Sequence, residues 1–220
     1  ALDEPGVSRN DLPKSILKTT KSGWHLSGRK DWIAAGSSAT HYVVSASGTN
    51  GLTWVMIDSD QEGLQKEVYP THDGRGAVSL KFNSPISEDQ ILLEGESAKQ
   101  AVTALRTHAM LLSSAETLGA MQAALHTTID YTKRREQFGQ PLASFQALQH
   151  RMADMLTQIE LSRSLVYAAC TAFDDENVDR NQLARAAKVK AATVGKKVTQ
   201  EAIQLHGGIA TTDEYIVGHF

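Results

Sequence analysis

The chain has 220 residues, 41% of them hydrophobic, with 22 lysines and arginines against 25 aspartates and glutamates for a net charge of −3. That is enough for one large domain or two modest ones with a real core, and it offers no basic field for nucleic acid or an anionic membrane. The single cysteine, Cys170, excludes an internal disulfide framework and fits a reducing, cytoplasmic setting; no apolar run reaches the length of a membrane span and no signal peptide is visible.

Residues 1–95 read as β. Turn-forming clusters stand at Glu4-Pro5-Gly6, Ser47-Gly48-Thr49-Asn50-Gly51, His72-Asp73-Gly74-Arg75-Gly76 and Asn83-Ser84-Pro85. Between them, β-rich runs at 24–26, 41–46, 52–57, 66–69 and 77–82 predict the short strands of a small antiparallel sandwich or barrel. Residues 26–36 read as a strand, a turn and a strand, with Trp32 in the core.

From about residue 96 the period changes from two to three and four. Ala104, His108, Leu111, Ala115, Leu118, Gln122, Leu125 and Ile129 mark one face of a helix over 98–133, roughly 50 Å long at 1.5 Å per residue. A second stripe runs Phe145, Leu148, Met152, Met155, Ile159, Ser162, Val166, Ala169 and Phe173. A third runs Leu183, Ala187, Ala191, Val194, Val198, Ala202 and Leu205, ended by Gly207-Gly208. Three long helices on short loops predict an antiparallel bundle with room for a fourth. The expected architecture is α+β, with a β domain over 1–95, a helical-bundle domain over 96–220 and a boundary at Glu94-Gly95.

The first two helices are separated by Phe138-Gly139-Gln140-Pro141. Lys133, Arg134 and Arg135 before the break suit the helix dipole, and glycine then proline end one helix and start the next. The Arg135 guanidinium is a rigid fork suited to phosphate oxygens, with Phe138 beside it to pack on a ring. By residue type alone, a surface cation and a corner plug serve as well. In Gln204-Leu205-His206-Gly207-Gly208-Ile209, paired glycines after a helix either admit a close ligand or simply cap the helix. The eight histidines form no pair at metal-ligand spacing, so no metal is expected. No GxSxG, Walker or GxGxxG fingerprint occurs.

The full string from Arg135 to Met155, R-x-Q-F-G-x-P-L-x-x-F-Q-x-x-Q-x-x-x-A-D-M, resembles the signature of the acyl-CoA dehydrogenase family of flavoenzymes. Gln204 to Ile209 is similar to that family's Q-x-x-G-G-x-G stretch, with Ala210 at the third glycine, and Asp213-Glu214-Tyr215 continues the likeness. Gly28-Arg29-Lys30-Asp31-Trp32-Ile33-Ala34 resembles G-x-K-x-W-I-T, with Ala34 for threonine. Asp3-Glu4-Pro5-Gly6 resembles the T-E-P-G-x-G-S-D loop, with Asp3 at the threonine and Arg9 at the serine. Leu80-Lys81-Phe82 and Ile91-Leu92-Leu93-Glu94-Gly95 match the closing strand, with Asn83 for an aspartate.

The resemblance implies FAD as cofactor and α,β-dehydrogenation of an acyl-CoA thioester, by proton abstraction at Cα and hydride transfer from Cβ to the flavin. It implies that Arg135 and the Gln204–Gly208 segment reach a neighbouring subunit's FAD, that Arg135 holds the pyrophosphate there, and that Phe138 and Gln146 line the FAD site. Gln204, Gly207 and Gly208 would contact the adenosine side, and Trp32, Ile33 and the backbone of Ala34 would lie near the flavin ring. It further implies a homo-oligomer, dimer or tetramer, or a heteromer with a second acyl-CoA dehydrogenase subunit, and an electron-transfer acceptor. The family's N-terminal helical domain and last helical stretch are expected to lie outside this chain. The base falls either beyond Phe220 or, in a minority of members, at the position of Ala109. Glu116, two turns on and flanked by Ala115 and Leu118, is a weaker candidate expected to be partly buried. The family's acyl-CoA-facing aspartate and arginine fall at Thr107 and Met110. The strings at 115–121 and 212–219 are most similar to bacterial dehydrogenases of dicarboxylyl- or unusual acyl-CoAs, some of which pair a catalytic with a degenerate subunit. The departures at Asp3, Ala34, Ala109 and Ala210 therefore keep a second reading open, a non-catalytic subunit that completes a partner's FAD site.

Overall fold

A computed structural model describes residues 2–6, 11–21, 23–71, 74, 76–175 and 177–220. Arg9 lies outside them. The chain divides into two compact units, residues 1–103 and 104–220.

The first unit is built on a seven-stranded sheet. Its strands are β1 Ile16–Thr20, β2 Gly23–Ala34, β3 His41–Gly48, β4 Gly51–Asp58, β5 Leu64–Tyr69, β6 Ala77–Ile86 and β7 Ile91–Glu94, laid in the order β5-β6-β2-β1-β3-β4-β7. Every pairing is antiparallel except β1 with β3, which meet in parallel at Ile16 and Ser47. The fold class is the expected one, with that single parallel contact added. Alternate residues point inward, so Leu17, Leu26, Val44, Val55, Ile57, Val78, Leu80 and Phe82 share one core. β1 left no mark in the sequence because only Leu17 of its five residues is buried.

One local expectation fails. Residues 26–36 do not form strand, turn and strand. Ser27 and Gly28 stay in the ladder opposite Asn83 and Phe82, so no turn forms there. The irregularity comes later, as a register shift between Lys30 and Ile33.

Helix α1, Gly95–Arg134, has 40 residues, about 60 Å at 1.5 Å per residue. It starts where Ser97 Oγ donates to Glu94 O (2.8 Å), and its first turns are tied to the sheet by Trp54 Nε1 donating to Ala98 O (3.1 Å). In the second unit its remainder packs with α2, Gln146–Thr171, and α3, Arg180–His206. Asp179 caps α3 by accepting from the backbone N–H of Asn181 and Gln182. The core joins Leu118, Met121 and Leu125 to Met155, Ile159 and Val166 and to Ala187, Val194, Val198 and Ala202.

The stripes expected for α2 and α3 face this core. That expected for α1 is displaced over its N-terminal half, where Ala104, His108 and Ala115 are exposed and Thr107 and Ser114 are buried. Here Ser114 and Thr128 return their hydroxyls to carbonyls one turn back (2.6 and 2.7 Å) and so bury like apolar groups, and Thr132 does the same (3.0 Å) while also reaching Met152 Sδ on α2 (3.6 Å). Glu116, expected to be partly buried, is exposed. No helix among the described residues is long and apolar enough to cross a membrane, and no group of three metal-ligating side chains comes together there.

Candidate functional site

The expected site residues fall in both units, and each set has its own geometry. In the first unit the register shift of β2 throws Trp32 outward. Its backbone is left-handed, φ 57°, and its indole is 71% exposed, so it is not the core residue that the sequence pattern predicts. The side chain stands edge-on against Tyr69, ring centres 5.5 Å apart at 83°. A bulky residue held at positive φ costs about 1–2 kcal/mol, so the surrounding ladder imposes this display. Ile33 turns back toward the sheet core, and Ala34 lies exposed opposite Ala77.

In the second unit α1 ends as Arg135 N donates to Tyr131 O (2.8 Å), and Leu142 N then donates to Arg135 O (2.8 Å). These bonds frame a miniature hairpin, β8 Glu136–Gln137 and β9 Gln140–Pro141. Its tip, Phe138 and Gly139, has φ 57° and 79°, the paired positive φ of a type I′ turn. Glycine takes that conformation freely; phenylalanine does not. Phe138 is 90% exposed and touches Phe145 edge-on, ring centres 6.1 Å apart. Gln146 opens α2, and both it and Arg135 are exposed.

At the far end of α3, Gln204, Gly207 and Gly208 are exposed. Gly207 has φ 69°, and a Cβ added at either glycine would meet nothing within 4 Å, so this backbone is open to close approach. Just before it, His206 is buried. Its Nδ1–H donates to Ala202 O (2.7 Å), and its Nε2 has no partner. The imidazole stacks on Tyr131, centres 4.4 Å apart at 28°, and Tyr215 closes on both rings. Thr127, Asp130, Tyr131, Arg134, Arg135 and Tyr215 line an adjoining cavity of about 390 Å³.

The fold thus brings the Arg135 hairpin and the Gln204–Gly208 segment to one end of the bundle, joined through Tyr131 and His206. Sequence reading missed this aromatic joint, although Tyr131 lies one helical turn before Arg135 and His206 sits inside the glycine motif. The chemistry on offer is a pair of guanidinium groups, flat aromatic walls and open backbone, suited to a ring-bearing phosphate. Thr107 and Ala109 lie elsewhere on α1: Thr107 is buried with its Oγ1 donating to Asn181 Oδ1, and Ala109 is exposed.

Comparison with known proteins gives a consistent result. The family model described as "Acyl-CoA dehydrogenase, C-terminal domain" matches residues 99–220. The probable acyl-CoA dehydrogenase FadE25 of Mycobacterium tuberculosis is 34% identical over 216 residues, which cover 94% of this chain and 56% of that protein. The chain therefore spans little more than half the length of the curated relatives it matches. Butyryl-CoA dehydrogenase from Megasphaera elsdenii superposes with a TM-score of 0.89 at 30% identity, covering 99% of this chain and 59% of the other. The Tcur3481–Tcur3483 steroid ACAD does so with a TM-score of 0.83 at 32% identity, covering 99% and 58%.

Proposed function

Because the chain belongs to the acyl-CoA dehydrogenase family, we propose that it forms the FAD-holding portion of an enzyme that α,β-dehydrogenates an acyl-CoA thioester. The observation that carries this reading is the display of Arg135, Phe138 and the open Gly207-Gly208 backbone at one end of the helical bundle. Phe138 stands in solvent on a strained backbone, as a residue does when its partner is a ligand or another chain. The residues present therefore fit a flavin dinucleotide.

Arg135 holds the pyrophosphate by its planar fork, and Phe138 and Gln146 line the dinucleotide. Gln204, Gly207 and Gly208 take the adenosine side. Those groups of the helical unit reach a neighbouring subunit's FAD, while in the β unit Trp32, Ile33 and Ala34 serve the flavin ring of the chain's own, with the Ala34 backbone in place of a threonine hydroxyl. When bound, FAD supplies the acceptor for the hydride that leaves Cβ. Ala109 carries no ionisable group, and Glu116 stands in solvent rather than in the dry enclosure a general base needs; neither is assigned as the base. The protein works as a dimer or tetramer, of itself or with a second acyl-CoA dehydrogenase subunit, and passes electrons to a separate acceptor.

A second reading has its own support. Thr107, the position at which the resemblance implies an acyl-CoA-facing aspartate, is buried against Asn181. A chain that has lost this contact suits a non-catalytic subunit completing a partner's FAD site. Turnover decides between them. The intact protein, purified alone with added FAD, is assayed with a panel of acyl-CoAs and an artificial electron acceptor. Turnover by the homo-oligomer supports the enzyme. Flavin binding without turnover of any acyl-CoA, restored by a second subunit, supports the other reading.

A further inference from the structure

Among the largest fully buried side chains of the described residues is a lysine, Lys30, with no exposed surface. On β2 it follows Leu26 by two inward-facing steps, so strand alternation drives it into the core. Its Nζ donates to Glu4 Oε1 (2.5 Å) and Ser45 Oγ (2.8 Å). The Glu4 carboxylate also accepts from the backbone N–H of Lys14 (2.6 Å) and Ser15 (3.1 Å). Beside this pair, Asp31 N donates to Asp3 O (3.1 Å). Ser15 is itself pinned to β3, where Ser47 N donates to its carbonyl (2.8 Å).

These bonds share a position. The ion pair ends one residue before the register shift that displays Trp32, and the Asp31–Asp3 bond lies within it. The Glu4-Pro5-Gly6 turn and the displaced stretch of β2 are therefore fixed to each other at two adjacent points. A bare hydrophobic contact would permit sliding; a charge pair buried among directed donors does not, since any slip strands a charge in the core.

We propose that Lys30 and Glu4 are positioning residues that lock the Glu4-Pro5-Gly6 turn to the Trp32 bulge, so that the two present a single preformed surface to the flavin. The inference rests on the flavin assignment above for what the surface contacts, but not for the lock itself. Neither side chain takes part in the chemistry. Removing either partner frees both segments together, and the cofactor then spends binding energy on ordering them.

The test compares the intact protein with Lys30→Met, with the milder Glu4→Asp, and with the double variant Glu4→Gln/Lys30→Met, which leaves no unpaired charge in the core and is expected to keep the fold. Amide hydrogen exchange is followed by mass spectrometry over residues 2–6 and 31–34, with α2 as internal control. FAD affinity and the position of the flavin absorption band are read in parallel. All three variants are expected to raise exchange at least tenfold in both segments with α2 unchanged, to weaken FAD binding at least tenfold, and to shift the flavin band. Faster exchange in residues 2–6 alone, or unaltered FAD affinity and band in the double variant, overturns the proposal and leaves the flavin assignment standing. Should the unaltered protein take up no FAD, the functional reading falls. The exchange data then decide on the lock: a joint rise supports it, and a rise in one segment refutes it.

Discussion

The imidazole of His206 lies flat on the phenol ring of Tyr131, 4.4 Å between centres, while its Nε2 is buried without a hydrogen-bond partner. An orphaned buried acceptor costs about 1–3 kcal/mol, so this contact joins the ends of α1 and α3 at a sacrifice. His206→Phe keeps a flat ring and removes the orphan, losing only the bond to Ala202 O; the expected change in stability is within about 1 kcal/mol. His206→Ala leaves a cavity against two tyrosines and is expected to destabilise by about 2–4 kcal/mol. Urea unfolding monitored by circular dichroism distinguishes these outcomes.

Arg135 is exposed, so Arg135→Ala is expected to leave folding stability within about 0.5 kcal/mol. FAD affinity should fall at least tenfold, and Arg135→Lys should recover little of it, because an ammonium cannot replace a bidentate fork. Equilibrium dialysis against FAD, beside thermal melts of the cofactor-free protein, separates binding from folding.

The hairpin tip gives a contrast of the same kind. Phe138→Ala removes a side chain that is 90% exposed and has one ring contact, so the stability loss should stay below about 1 kcal/mol while flavin retention on gel filtration falls. Gly139→Ala meets no neighbour but must hold φ 79°, and should cost about 1–2 kcal/mol of stability. A larger stability loss for Phe138→Ala than for Gly139→Ala contradicts this assignment of roles.

The acid limb of stability should carry the mark of Glu4. Burial alone would raise its pKa, but the hydrogen bonds from Lys30 and Ser15 outweigh that and hold the carboxyl below its ordinary value. The stabilisation is therefore present above the ordinary carboxylate pKa of about 4.3, and is lost as pH falls through the lower folded value. Between pH 5 and 2 the unaltered protein should lose melting temperature more steeply than Glu4→Gln/Lys30→Met. Parallel slopes would refute the linkage.

Much of this architecture is legible in the sequence. The stripes of α2 and α3 are unbroken, and apolar but for Ser162 in α2, and periodicity alone places them. The face of α1 departs from the periodic pattern because hydroxyls that bond their own backbone pack like apolar groups. Trp32 departs from its pattern for a different reason. Alternation along β2 holds through Lys30, and the register shift that reverses it is set by tertiary pairing with β6 that no local pattern announces. The same alternation does point Lys30 inward, but a lysine is read as surface until an acidic partner from a distant turn is seen beside it. The residues of the candidate site were found by motif, and their cooperation through Tyr131 and His206 became visible only in three dimensions.

The central claim is that the display of Arg135, Phe138 and the Gly207-Gly208 backbone serves a flavin that accepts hydride from an acyl-CoA. The most direct measurement is the visible absorption spectrum of the intact protein, purified with added FAD and titrated anaerobically with a panel of acyl-CoAs. The account predicts a bound flavin band that bleaches with at least one acyl-CoA, and a far weaker band for Arg135→Ala. A protein that folds but retains no flavin after FAD is supplied would contradict it.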